Sequence, residues 1–187
     1  MRLGHLIRLL GPAILAASAA ACGDPVHDQL VASLGPETPG VPVGPLHRPG
    51  QPCLACHDGT GPAALAFATA GTVYQDASSQ DSTPLVAATV QFTDFAMNTF
   101  YARTNCAGNF FIEAVDWLNG DPANNIPPVV FPVHIQINYG GQSTQMLSHM
   151  AKTTSCAQCH VGVPSPASVP RVYLNSDPMQ YPASGCQ

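Results

Sequence analysis

The middle of the chain alternates between apolar and polar residues in short runs. In residues 86–94 the even positions Val86, Ala88, Val90 and Phe92 are apolar. In residues 129–139 every odd position is apolar, and from Pro132 the even positions are mostly polar. Because successive side chains of a strand point to opposite faces of a sheet, this alternation predicts strands with one buried face. Shorter runs that we also expect to be strands lie at residues 71–74, 99–104, 109–112 and 143–147.

Turn-forming residues separate these runs. Gly140 and Gly141 lie between the last two runs, as expected for a tight hairpin, and Gly, Asn and Pro are frequent in the other gaps. Short strands at roughly regular spacing predict a mainly β fold, a small antiparallel β-sandwich with its core at about residues 70–147. The one helical expectation in this region is a short turn at residues 147–152.

The first 21 residues have the pattern of an export signal. Arg2 and Arg8 give a positively charged start, and residues 9–21 are uncharged and largely apolar. This apolar run is shorter than the roughly 20 residues that a transmembrane helix needs. Residues 1–21 are therefore predicted to be a signal peptide.

Cys22 follows the apolar run directly, after three alanines. This arrangement resembles the lipobox of bacterial lipoproteins, in which the cysteine becomes the lipidated first residue, although Ala19 stands where that family usually has leucine. The resemblance implies a lipid anchor at a bacterial membrane, facing the periplasm, or at the cell surface. Cleavage after an Ala-x-Ala site would instead leave Cys22 as a free thiol. Residues 22–46 are Pro- and Gly-rich without sustained periodicity, which predicts an extended tether.

Two copies of one short motif flank the predicted strands. Residues 53–57 and 156–160 both read Cys-x-x-Cys-His, the attachment motif of c-type haem. In this motif both thiols form thioethers to the haem vinyl groups, and the adjoining imidazole binds the iron. The predicted attachment thiols are Cys53, Cys56, Cys156 and Cys159, and the predicted proximal iron ligands are His57 and His160. The sequence thus predicts two covalently bound haem c groups in one domain, residues 47–187.

One zinc site built from the four thiolates is the alternative, since paired Cys-x-x-Cys modules make tetrahedral all-cysteine sites. The histidine that follows each pair, together with the predicted export, favours haem.

A six-coordinate haem iron needs a second axial ligand. His47 and His149 lie six and seven residues before the two motifs, so we predict that they are the distal ligands. Each could serve its own haem, or the two could cross over. Met146 and Met150 are the rival ligands, although core filling is the preferred interpretation of both. The alternation of residues 129–139 directs His134 away from the core and into solvent, and contact with a haem on the outer face is the alternative.

Cys106 and Cys186 are the two cysteines that remain. In an oxidising compartment we expect them to form a disulfide that ties the C-terminal segment to the sandwich. Across such a long loop this bond would contribute about 3–5 kcal/mol on the chain-entropy model. Two unpaired thiols, or a bond to a neighbouring molecule, are the alternatives.

Three stretches resemble a known family. They read Ala-Gly-Thr-Val-Tyr at residues 70–74, Ala-Ala-Thr-Val-Gln-Phe-Thr-Asp at 87–94 and Ala-Gly-Asn-Phe-Phe-Ile at 107–112. Their order resembles the carboxypeptidase-regulatory-like, transthyretin-like sandwich domains of bacterial surface proteins, over about residues 70–139. The resemblance implies an immunoglobulin- or transthyretin-like scaffold rather than a catalytic site. With its two motifs, the chain resembles an exported multihaem cytochrome built around such a sandwich.

The charge balance narrows the choice of function. Six basic and eleven acidic residues give a formal net charge of −5, with no basic stripe for phosphates, so nucleic acid is not an expected partner. An acidic protein instead suits redox proteins of the cell envelope that carry a basic docking patch. We therefore expect electron transfer and not enzyme catalysis. The alternatives are a haem peroxidase or sensor with one open iron, and a self-assembling structural subunit that lines up haems.

Overall fold

The structure is a computed structural model that describes residues 24–37, 39–41, 43–77, 83–160 and 169–174. The predicted signal peptide, Cys22 and Cys186 lie outside these residues. The chain divides into two units, Met1–Gly35 and Pro36–Gln187. In the part of the chain that is described, no helix combines the length and the hydropathy needed to cross a bilayer.

The first unit contains one described helix, α1 (Pro25–Ser33). It begins where the Asp24 carboxylate accepts hydrogen bonds from the backbone N–H groups of Val26 and His27, at 3.0 and 3.2 Å. None of its residues is buried, so no face of the helix packs against a core. This explains why periodicity did not reveal it. The start of the segment predicted to be an extended tether is therefore helical.

Two sheets form the second unit, and the chain is mainly β, as predicted. The first sheet contains β1 (Phe67–Thr72), β4 (Asn109–Glu113) and β7 (Thr154–Ser155), in the order β4-β1-β7. In this sheet β1 is antiparallel to β4 and parallel to β7. These two antiparallel-rich sheets are consistent with a small β-sandwich.

The second sheet has four strands, all antiparallel, in the order β3-β2-β5-β6. Its strands are β2 (Thr89–Thr93), β3 (Thr99–Arg103), β5 (His134–Tyr139) and β6 (Gln142–Gln145). Two short helices complete the unit, α2 (Leu54–His57) before β1 and α3 (Ala114–Asn119) after β4.

The core confirms the alternation that the sequence showed. Val90 and Phe92 on β2, and Ile135 and Ile137 on β5, are buried. Phe92 lies opposite Ile135 in the register of the two strands. The fully buried Trp117 packs edge-on against Phe92, with ring centroids 5.2 Å apart. Trp117 belongs to α3, a helix that the sequence analysis did not predict because only six residues form it.

Two strands begin at different residues than predicted. β1 begins at Phe67 rather than at residue 71, and every later residue of this strand is buried. A strand covered on both faces has no polar alternation to detect. β5 begins at His134 rather than at residue 129, because Pro132 has no N–H group to donate to a sheet.

Candidate functional site

The two Cys-x-x-Cys-His motifs lie side by side although a hundred residues separate them. β7 ends directly before the second motif and pairs with β1. The backbone N–H of Leu54, in the first motif, donates to the buried Ser155 Oγ at 2.9 Å. One shared hydrogen bond and one shared strand therefore hold both motifs.

The first motif is a single helical turn. The N–H groups of Cys56 and His57 both donate to the carbonyl of Cys53, at 3.1 and 3.0 Å. Residues three and four apart lie on one face of a helix, so both thiols and the imidazole share a face. Leu54 and Ala55 are buried and anchor the opposite side of the turn.

The second motif is a 3-10 turn, Cys156–Gln158. The N–H of His160 donates to the carbonyl of Cys156 at 2.8 Å. Ser155 and Gln158 form a capping box at the start of the turn, in which each side chain accepts a hydrogen bond from the other's backbone. Of the four motif cysteines, Cys159 is exposed and the other three are half-buried.

Gly71 of β1 makes room for the second motif. A Cβ atom at this position would lie 2.8 Å from Cys156 Cβ and 2.9 Å from Cys156 Sγ. Gly61 has a similar position beside the first motif, where a Cβ atom would lie 2.5 Å from the carbonyl oxygen of Cys56. A methyl group at either glycine would thus displace an attachment cysteine.

Backbone carbonyls hold the imidazoles of both motif histidines, which are the predicted proximal ligands. The Nδ1 atom of His57 is 2.8 Å from Leu65 O, and that of His160 is 2.6 Å from Pro170 O. A carbonyl can only accept, so Nδ1 donates in both rings and Nε2 keeps its lone pair. Metal-binding histidines are commonly oriented in this way.

His47, the predicted distal ligand of the first motif, lies beside His57. Their ring centroids are 5.9 Å apart, and the ring planes are tilted by 35°. The Nδ1 atom of His47 is hydrogen-bonded to Gly44 O, which again leaves Nε2 free. Two imidazoles on opposite sides of one metal ion, with bonds of about 2.0–2.1 Å, have their centroids about 6 Å apart. The structure thus brings this predicted pair together at a suitable spacing.

Side chains of the first sheet hold the segment that carries His47. The Asn109 amide donates to the carbonyl of His47 at 3.0 Å. The Thr72 hydroxyl accepts from the N–H of Gly50 at 2.7 Å and donates to the Asn109 side-chain oxygen at 2.7 Å. Residues 47–50 are therefore fixed to β1 and β4.

The second motif has a different environment. His149, its predicted distal ligand, lies beside His134 of β5, with ring centroids 5.8 Å apart. Among the described residues, no histidine ring contacts the ring of His160. The distal role of His149 stays a prediction.

The two rival methionine ligands pack in the core, as the sequence analysis preferred. Met150 is buried, and its sulfur accepts a hydrogen bond from the Thr69 hydroxyl at 3.7 Å. Met146 is half-buried and packs against the same core. Both side chains therefore fill the core.

The four motif cysteines are free. Burial raises the pKa of Cys53 to about 11 and that of Cys156 to about 12. Both groups are therefore protonated at neutral pH in the haem-free chain. Within the described ranges, no three His, Cys, Asp or Glu side chains form a group that could hold a metal ion. The zinc alternative gains no support from this geometry.

Ser155 and Phe67 are among the residues that position the site and that the sequence analysis missed. Ser155 was detectable, because Ser155 and Gln158 have the spacing of a capping box. Phe67 had no such signal. Its ring stacks on the imidazole of His57, with centroids 4.1 Å apart and planes within 7°, and Phe111 stacks on its other side at 4.6 Å.

Cys106 is disulfide-bonded. Its pairing with Cys186 stays a prediction, since Cys186 lies outside the described residues. The lipidation of Cys22 stays a prediction for the same reason.

Comparison of the chain with protein-family models, with curated proteins and with solved structures found no match. The resemblances to bacterial lipoproteins and to transthyretin-like domains therefore stay expectations. The functional argument depends on the residues and their geometry.

Proposed function

We propose that the protein is an exported dihaem c-type cytochrome that transfers electrons by an outer-sphere route at the bacterial cell envelope. The observation that carries this proposal is the pair formed by His47 and His57. The centroids of these two imidazole rings are 5.9 Å apart, and the Nδ1 atom of each ring is hydrogen-bonded to a backbone carbonyl. The motif beside them has two free thiols. This combination suits haem c, which Cys53 and Cys56 would hold covalently and whose iron His57 and His47 would bind.

The donor set of each motif fits haem c. The thiols of Cys53 and Cys56 would hold one group, and those of Cys156 and Cys159 the other. Haem c, when bound, would supply a one-electron couple at its iron. The cleft lined by Cys156 and His160 measures about 10 Å³, room for about one water molecule. This cleft is too small for a haem, which would therefore lie outside it.

The protein's own part in electron transfer is to hold the ligands in place. The carbonyls of Leu65 and Pro170 fix the orientation of His57 and His160. The stacked ring of Phe67 restrains His57 further. Such outer contacts orient a ligand and tune its basicity, which is how a protein sets a reduction potential.

The remaining features suit a protein of the cell envelope. The predicted signal peptide and a lipidated Cys22 would place it at a membrane surface. The two sheets would serve as an immunoglobulin- or transthyretin-like scaffold flanked by two haem-binding segments. Its acidic charge would favour redox partners with a basic docking patch.

The mass of the denatured protein tests this proposal, after expression with a cytochrome c maturation system. Covalently attached haem survives denaturation, whereas zinc does not. We expect a gain of two haem masses. No gain would overturn the proposal and leave a zinc-bound or disulfide-linked binding module.

A second candidate function is that of a haem sensor or peroxidase with one open iron. The environment of His160 favours it, because no described histidine ring contacts this residue. Binding of carbon monoxide or cyanide to one haem of the protein as isolated would support this candidate. Unreactive haems would instead favour electron transfer with both irons fully ligated.

A further inference from the structure

A second histidine pair, His134 and His149, lies at the edge of β5 near its start. Val133 and Met150 exchange two backbone hydrogen bonds across an antiparallel bridge, both with N···O distances of 2.9 Å. The next residues along, His134 and His149, therefore oppose each other as a pair without backbone hydrogen bonds, the arrangement that brings side chains closest, with Cα atoms about 4.5 Å apart. The observed ring centroids are 5.8 Å apart.

The bridge also decides which way the two imidazoles point. Val133 and Met150 are buried in the core. Because successive side chains of a strand point to opposite faces, His134 and His149 lie on the outer face. His149 is exposed and His134 is half-buried. A solute therefore has access to both rings.

Hydrogen bonding leaves a lone pair available on each ring. The Nε2 atom of His134 lies 3.1 Å from the carbonyl oxygen of Met146, so Nε2 donates and Nδ1 keeps its lone pair. This is the kind of contact that orients a metal-binding imidazole. In the described structure, no hydrogen bond engages the ring of His149.

We propose that His134 and His149 together bind a divalent first-row transition metal ion, with water completing its coordination. Imidazole suits Zn²⁺, Ni²⁺ and Cu²⁺. Metal–nitrogen bonds of about 2.0–2.1 Å to both rings are compatible with the observed separation of the centroids. The described residues bring no third His, Cys, Asp or Glu to the pair, so water would have to fill the other positions. This site is independent of haem attachment.

Calorimetric titration with Ni²⁺ tests the proposal on the haem-loaded protein. The wild type is compared with His134→Gln, His149→Gln and, as a matched control, His27→Gln, which changes a histidine of the first unit. We expect the wild type and the control to bind one Ni²⁺ that each of the other variants binds at least about tenfold more weakly. The proposal replaces the distal haem role that the sequence predicted for His149, so we expect the absorption spectrum of the haems, recorded on the same samples, to be unchanged.

Two outcomes would overturn the metal site. Equal Ni²⁺ binding by all four proteins would show that the pair does not chelate. A change from low-spin to high-spin haem in His149→Gln alone would show that His149 is an iron ligand and not part of a separate site. Because His149 is exposed, its replacement does not disturb the core, and the haem mass of each sample shows independently whether the proposed function holds.

Discussion

The two motifs have the same sequence pattern and different surroundings. His57 has a second imidazole beside it, because residues 47–50 are bonded to β1 and β4. No described histidine ring lies beside His160. His149, which we expected there, lies next to His134, because the backbones of Met150 and Val133 are hydrogen-bonded to each other. Similar spacing before the two motifs thus did not produce similar geometry. The motif predicts where haem would be attached, whereas the contacts of the preceding segment decide which side chain lies beside the motif histidine.

The largest effect should come from removing the thiols of one motif at a time. We expect Cys53→Ala with Cys56→Ala, and separately Cys156→Ala with Cys159→Ala, to lose one covalent haem each. Thioether attachment needs the sulfurs and has no substitute in the other motif. The mass of the denatured protein measures the loss. Each double variant is the control of the other, and the loss of both haems in either one would show that the motifs do not act independently.

Replacing His47 should affect the first iron alone. In His47→Ala we expect one haem to become high-spin and to bind carbon monoxide, because the imidazole 5.9 Å from His57 is gone. The absorption spectrum with and without carbon monoxide measures this change. His27→Ala is the control and should behave as the wild type. A low-spin, unreactive His47→Ala protein would mean that another residue binds this iron.

The sequence predicted the strands and the motif residues well, but it predicted poorly which residues distant in the chain contact each other. Alternation identified β2 and the buried face of β5, because side-chain direction in a strand follows from position alone. The motif gave the thiols and both proximal histidines as candidates. The motif could not predict that the carbonyls of Leu65 and Pro170 accept hydrogen bonds from these histidines. Every residue has a backbone carbonyl, and only the fold determines which one lies beside a given ring. The neighbour of His149 likewise depends on the bridge between Val133 and Met150, which has no sequence signature.

Replacing the glycine beside one motif should weaken haem attachment at that motif and not at the other. Gly71→Ala puts a methyl group against Cys156, and Gly61→Ala puts one against the backbone of Cys56. Overpacking of this kind costs about 1–3 kcal/mol. Urea unfolding measures the cost, and the haem mass shows which motif is affected. We expect Gly71→Ala to reduce attachment at the second motif and Gly61→Ala at the first, and a reversed result would contradict the packing described above.

Ser155 should couple the motifs, because its hydroxyl accepts from Leu54 in the first while it caps the second. In Ser155→Ala the buried N–H of Leu54 loses its partner, a change that costs about 1–3 kcal/mol. We expect lower stability in urea and weaker haem attachment at both motifs. Ser143→Ala, on the exposed strand β6, is the matched control. An effect on one motif only would show that the hydrogen bond does not link them.

Replacing Asp94 should have the smallest effect, a change in overall stability. Asp94 directly follows β2, and its carboxylate is hydrogen-bonded to Asn98 and Val130, which belong to neither motif. Burial alone would raise its pKa, but hydrogen bonds from the Asn98 side chain and from the N–H groups of Val130 and Asn98 outweigh burial, so the pKa lies below its ordinary value of 3.8. The folded carboxylate therefore binds fewer protons than the unfolded one. The stability it provides is present above about pH 4 and is lost as the pH falls through the folded pKa.

Urea unfolding between pH 7 and pH 3 checks this contribution. We expect Asp94→Asn to be less stable than the wild type at pH 7 and to lose less stability on acidification. Asp116→Asn removes the same charge at an exposed position and should follow the wild type. If Asp94→Asn kept both haems while its stability fell, the effects of Gly71→Ala and Ser155→Ala on attachment would be local to the motifs. If Asp94→Asn lost haem in proportion to its loss of stability, general unfolding would explain the haem loss in Gly71→Ala and Ser155→Ala as well. The two motifs would then differ only in the side chains beside their histidines.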